Sequence, residues 1–374
     1  MIFNGIIFQL SALINFFFST YLLWVLVFFG YYSIATDGFL ILSLVSIITY
    51  GLSANIRNIY LGSISFFNLK KIIQFRIIIS ILFFILSILI ILINTEKYIF
   101  HFSLIFIIIV NWNLELVLAR MEKNNILLKF FVFSQFLLLI IIPITIYYLS
   151  IIFVSLFIFI YCLVIAYYIS KNYLKNFSFS FFNYNFFFSL GVSSTLFKYI
   201  ANFAWRLFAI ILVGETKASI LFIGFSLGSL FVTIFDVSYG ALWLKKIKYK
   251  KIFINSFYLF YVMGCMIILY FFRSFSDMSK IEYSLFQSTA ILSILGGFFL
   301  LKAMHKRQII YEINSIRNLC YKLDILGYAF NFSIIPILYF VNINYLSMTY
   351  LISSIFFYIV YSKYYNYVFN KKKY

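Results

Sequence analysis

The stretch FKYIANFAWRLFAIILV, Phe197–Val213, decides how this chain is read. It approaches the roughly 20 apolar residues that a helix needs to cross a bilayer, yet it holds Lys198 and Arg206 with Asn202 midway between them. In lipid, two cations on one helix need a reason. Composition settles the solvent: the 374 residues are 65% hydrophobic and 10% charged, with a mean hydropathy of +1.05. Soluble domains are about 45–50% apolar and about 25% charged. The chain reads as an integral membrane protein with no soluble domain.

Outward from this segment, apolar runs follow one another with short polar breaks. We place spans at 6–29, 36–56, 77–94, 99–119, 126–148, 150–170, 186–213, 218–243, 252–272, 283–301, 323–341 and 345–365. The first lacks a basic leader and is too long for a signal-peptide core, so it is expected to be retained. Lys and Arg mark the cytoplasmic loops. Arg57, Lys70, Lys71, Arg76, Arg120, the run KKIKYKK at 245–251, and Lys302, Lys306, Arg307, Arg317 and Lys322 all fall on one side of this segmentation, against Lys97, Lys217, Arg273 and Lys280 on the other. Both termini are therefore expected to be cytoplasmic. The net charge of +19 belongs mostly to the inner face, where anionic headgroups attract it, so no nucleic-acid partner is implied. The abundant Phe and Tyr follow from a residue usage also rich in Ile, Asn and Lys, and single aromatics carry little weight. Cys162, Cys265 and Cys320 match neither a disulfide framework nor a metal spacing, and no cofactor is expected.

The two prolines, Pro143 and Pro336, sit in the same tetrapeptide, IIPI, 193 residues apart. LVLARMEKNNIL at 116–127 aligns with FLLKAMHKRQII at 299–310, and TYGLSANIRNI at 49–59 with SYGALWLKKIK at 238–248. The shared order implies two six-helix halves, 1–175 and 176–374, in the same orientation. The expected fold is an all-α membrane protein of about 12 transmembrane helices in two six-helix repeats around a central cavity, an arrangement that carries substrate at the repeat interface.

On one helix Lys198 and Arg206 are about 12 Å apart along the axis and about 80° apart around it. Asn202 lies between them, and Gly191, Ser194 and Thr195 extend the stripe. Arg206 is near enough to the outer surface to snorkel. Lys198 is deeper, and charges at that depth usually line a path for substrate or ions; a structural ion pair is the other reading. Such a cavity suits an anion such as a pyrophosphate. Glu115 and Asp236, near the inner ends of their spans, are candidates for ion coupling or for plain packing partners. Gly224 and Gly228 have the spacing of close helix packing.

Three segments, GYYSIATDGFLILSLVSIITYGLSANIR (30–57), WNLELVLARMEKNN (112–125) and NFAWRLFAIILVGETKASILFIGFSLGSL (202–230), carry a resemblance. The chain resembles the polysaccharide biosynthesis proteins, the O-antigen-type lipid-linked oligosaccharide flippases of the multidrug/oligosaccharidyl-lipid/polysaccharide exporter superfamily. The resemblance implies a multi-pass protein of the bacterial inner membrane that moves an undecaprenyl-diphosphate-linked oligosaccharide across the bilayer. Arg57, Lys198 and Arg206 then stand where the family keeps cavity cations. The implied partners are the lipid-linked oligosaccharide and membrane lipids, with polysaccharide polymerase or synthase machinery left open. Two alternatives remain: an O-antigen polymerase or other membrane glycosyltransferase, disfavoured by outer loops of about 10 residues or fewer, and a cation-coupled multidrug exporter on the same fold.

Overall fold

The computed structural model describes residues 17–51, 76–83, 85, 97–120, 125–173, 190–239, 258–259, 261–266, 269–270, 273, 277–311 and 317–371. The described backbone is helical almost throughout and contains no strand. In chain order the helices are α1 (Phe17–Phe28), α2 (Tyr32–Ser46), α3 (76–83), α4 (Lys97–Arg120), α5 (Asn125–Tyr148), α6 (Ile151–Tyr173), α7 (Leu190–Val213), α8 (Glu215–Tyr239), α9 (261–266), α10 (Lys280–Tyr311), α11 (Arg317–Val341) and α12 (Thr349–Lys371). Each expected span overlaps one of them. Among the described residues, six stretches are long and apolar enough to cross a membrane: Tyr32–Thr49, Ile151–Ile169, Ser193–Val213, Lys280–Ile310, Asn318–Val341 and Ile343–Val368. The protein is an all-α membrane protein.

Both halves of the sequence open with a helical hairpin turned by a glycine. Gly30 and Gly214 have φ of 78° and 79°, a left-handed conformation that other residues enter only at a cost. At the first, the Gly30 amide bonds the Val27 carbonyl and the Tyr31 amide the Leu26 carbonyl, which closes the last carbonyls of α1. The α1 segment Leu22–Phe28 is buried on every side, as a helix that is apolar all round should be. Phe18 stacks on Tyr161 of α6, and Phe28 meets Phe286 of α10 edge to face. α1 therefore packs against both α6 and α10.

Pro143 and Pro336 each stand five residues before the end of their helix, α5 and α11. A proline removes the bond to the carbonyl four residues back, and in lipid that carbonyl needs another donor. The Tyr21 hydroxyl of α1 donates to the Leu139 carbonyl at 2.7 Å, so the break caused by Pro143 ties α5 to α1.

The small-residue pattern in α8 does what its spacing predicts. A methyl group on Gly228 would come within 2.2 Å of the Ser293 carbonyl oxygen of α10, and one on Gly297 within 2.8 Å of the Gly228 oxygen. The Ser293 hydroxyl reaches the Gly224 carbonyl at 2.5 Å. Backbone contact this close is open only to glycine, and it joins α8 to α10. Elsewhere the apolar side chains turn outward. Ile140, Ile144, Ile152, Leu156 and Ile160 on α5 and α6 are exposed as a lipid-facing surface, with Tyr147 and Tyr148 at the turn between the helices, where aromatic rings suit a membrane interface.

Two expectations about basic loops are corrected. The loop expected from Lys302 to Lys322 is largely helix: α10 continues to Tyr311 and α11 already begins at Arg317. Lys302 and Lys306 remain compatible with helix because their ammonium groups lie over the rings of Phe298 and Tyr358, at 3.9 and 4.4 Å from the centroids. Arg76, read as a loop cation, is 2% exposed in α3, with its guanidinium over Trp112 and bonded to the Trp112 carbonyl at 2.5 Å. Arg57 and the KKIKYKK run lie outside the described residues.

Candidate functional site

α7 is the helix that carries the polar stripe, and its neighbours are set by the hairpins. It packs on α8 through the Gly214 turn, on α11 within its own half, and on α2 of the other half. Beyond Ser46, α2 widens into a π-helical turn, Ile47–Gly51, which also packs on α7. Ser43, Ser46 and Thr49 each return a hydroxyl to the carbonyl four residues back, a bonding pattern that loosens and bends helices.

Along α7 the two cations have different surroundings. Arg206 is held: its Nη1 donates to the Phe39 carbonyl of α2 at 2.7 Å. Its guanidinium also lies over the rings of Phe39 and Phe222, at 5.3 and 5.8 Å from their centroids. Those rings meet edge to face at 5.4 Å, and Trp205 packs on Phe222 and Phe225 beside them. An aromatic wall thus shields the Arg206 bond from competing water.

Lys198, about 12 Å along the helix, is half-buried, with its ammonium over the neighbouring Tyr199 ring, 5.3 Å from the centroid. Neither Lys198 nor Asn202, one turn along, has a hydrogen-bond or ion-pair partner among the described residues. This is a polar surface whose bonding capacity is unused. Glu115 and Asp236 belong to α4 and α8, and their side chains lie outside the described residues. The structure therefore brings Lys198 and Asn202 together on one stretch of α7 and directs Arg206 to α2.

A second charged centre escaped the sequence reading. Arg307 of α10 grips Asp324 of α11 in a fork: Nε lies 2.9 and 3.0 Å from the two carboxylate oxygens and Nη2 lies 2.6 Å from Oδ2. The Tyr361 hydroxyl of α12 donates to the same carboxylate at 2.5 Å, and the Asp324 side chain is only 5% exposed. Arg307 looked like one of several loop cations, so its pairing was hidden. The available signal was Asp324 itself, an acid inside the apolar run that starts α11.

No family model and no curated protein matches the chain. Among solved structures it is similar to one described as the outward-facing conformation of a multidrug resistance MATE family transporter of the MOP superfamily. That match has a TM-score of 0.55 and 13% identity over 99% of this chain and 96% of the other. The chain shares its overall fold with that structure over 99% of its length.

Proposed function

We propose that the protein is an alternating-access exporter of a lipid-linked oligosaccharide, built as two lobes, 1–175 and 176–374. Lys198 and Asn202 meet the anionic diphosphate of the substrate. The observation that carries this reading is the unused ammonium of Lys198, half-buried in a membrane helix and without a carboxylate or hydrogen-bond acceptor among the described residues. Charge left uncompensated there destabilises the helix in lipid and is suited to an anion that arrives and leaves. The lipid tail stays in the bilayer while the headgroup crosses between the lobes. The distribution of Lys and Arg supports an inner-membrane orientation with both termini cytoplasmic. Glu115 and Asp236 remain the candidates for ion coupling.

A second reading, multidrug export, is supported by the fold neighbour, which is a multidrug resistance transporter. A cationic drug is repelled by Lys198, so the two readings predict different cargo. The test is leaflet translocation of a fluorescent undecaprenyl-diphosphate glycan in proteoliposomes, run beside ethidium efflux. Glycan translocation that is lost in Lys198→Ala supports the first reading. Ethidium efflux that persists in Lys198→Ala, with no glycan movement in the wild type, establishes the second.

A further inference from the structure

Among the described residues, five hydrogen bonds cross between the two halves, four of them toward the turns at Gly30 and Gly214. The Asp277 amide donates to the Phe28 carbonyl at 3.0 Å. The Tyr32 hydroxyl reaches Glu282 at 3.1 Å, where that carboxylate also accepts the Ser279 amide and caps α10. The Thr36 hydroxyl donates to the Glu215 carbonyl at 3.0 Å, and the Trp24 indole to the Ser226 hydroxyl at 2.5 Å. The fifth is Arg206 to the Phe39 carbonyl. Phe39 lies midway along α2 and Arg206 lies eight residues before Gly214, about 12 Å along the helix, so four of the bonds lie toward the Gly30–Gly214 end, while Ser226 stands midway along α8.

We propose that Arg206 is the latch that holds the two halves together at the Gly30–Gly214 end. The proposal deepens the alternating-access reading and rests on it: a transporter that opens at this end must break these bonds in each cycle. Two of the five carry a full charge, Arg206 to Phe39 and Tyr32 to the Glu282 carboxylate; Arg206 is singled out because rings cover its guanidinium, whereas Glu282 caps the exposed start of α10. It is the donor that brings a full charge to the seam, and a hydrogen bond from a charged donor is stronger than one between neutral groups. Its acceptor is a backbone oxygen fixed by the helix, so the bond reports the distance between α2 and α7 rather than a side-chain rotamer. That oxygen also accepts the Ser43 hydroxyl at 2.7 Å. The rings of Phe39 and Phe222, one from each half, close over the guanidinium, and exclusion of water strengthens the bond further. The contact is complete when the halves are together and has no acceptor from α2 when they part.

The test is a distance measurement without substrate. Spin labels are placed at Tyr31 and Lys217, both exposed at this end, in the full chain reconstituted in liposomes, with double electron–electron resonance as the readout. The wild type is expected to show mainly the short distance. Arg206→Gln should raise the ratio of long to short distances by about tenfold, the weight of a charged hydrogen bond in an equilibrium constant. Phe222→Leu, which keeps apolar volume but removes the ring face, should move it the same way by about threefold. It also serves should Arg206→Gln fail to fold. Distances unchanged from the wild type in whichever of these variants fold overturn the latch. Adding undecaprenyl diphosphate to the wild type separates the two ideas. A distance that never lengthens, with or without that lipid, sinks the moving-halves reading and the latch together. A wild-type distance that does lengthen, beside unresponsive variants, sinks the latch alone.

Discussion

Arg307 and Lys198 are both cations within apolar helices, yet their surroundings are opposite. Around Arg307 three helices of the C-terminal half converge: a buried carboxylate accounts for its charge, and a tyrosine hydroxyl donates to that carboxylate. Around Lys198 a neighbouring ring is in reach, and no hydrogen-bond or ion-pair partner is found among the described residues. The first region is closed and gives no ligand a reason to enter; its charges serve cohesion between α10, α11 and α12. The second is open in the chemical sense, because an ammonium and an amide there have hydrogen bonds left to make. Arg206 stands between these extremes, bound to the other half through a single carbonyl. Under the proposals above, the contrast gives the three cations three tasks: cohesion within the C-terminal helices, holding α7 to α2, and meeting a substrate.

The sharpest attack on this contrast is Asp324→Asn, which leaves the Arg307 guanidinium without its carboxylate. Breaking a buried pair by removing one partner costs about 3–5 kcal/mol, so thermal unfolding in detergent should shift down strongly. Arg307→Met combined with Asp324→Leu should recover most of the loss. If the single variant melts like the wild type, the knot is not a structural element. Next in size is Arg206→Gln, expected to destabilise by about 1.5–3 kcal/mol, the usual range for a charged hydrogen bond. Its melting point should fall less than that of Asp324→Asn. Tyr21→Phe removes only the donor that serves the Leu139 carbonyl, and about 1 kcal/mol should be lost; a larger fall would mean that α5 depends on α1 more than one bond explains. At the bottom stands Lys198→Met. Removing a half-desolvated charge that lacks a partner should leave the melting point unchanged or slightly raised. The same variant is expected to lose glycan translocation, and a marked loss of stability instead would place Lys198 with Arg307 as a structural cation.

Much of the fold was legible because the bilayer imposes length and polarity on each span. Twelve apolar runs were visible as such, and each overlaps a helix. The spacing of Gly224 and Gly228 announced a close crossing, but it did not name Ser293 and Gly297 on α10 as the surface that is met. The ends of α10 and α11 were misread for a physical reason. A lysine whose stem lies along an aromatic ring is tolerated within a helix, whereas a count of charges treats it as a loop residue. The candidate site was half legible. Depth set Lys198 apart from Arg206, which was read as able to snorkel, but nothing in the order of residues showed that Arg206 would find the Phe39 carbonyl of α2.

The sequence alone determined the solvent of this protein, its all-helical character, and the location of its polar stripe. These properties depend on local composition, which lipid tests segment by segment. Only the tertiary structure decided which charges are satisfied. Whether Arg206 finds Phe39, Arg307 finds Asp324 and Lys198 finds no partner among the described residues depends on helices far apart in the chain coming within about 3 Å of one another, and that proximity is a property of packing rather than of any one segment.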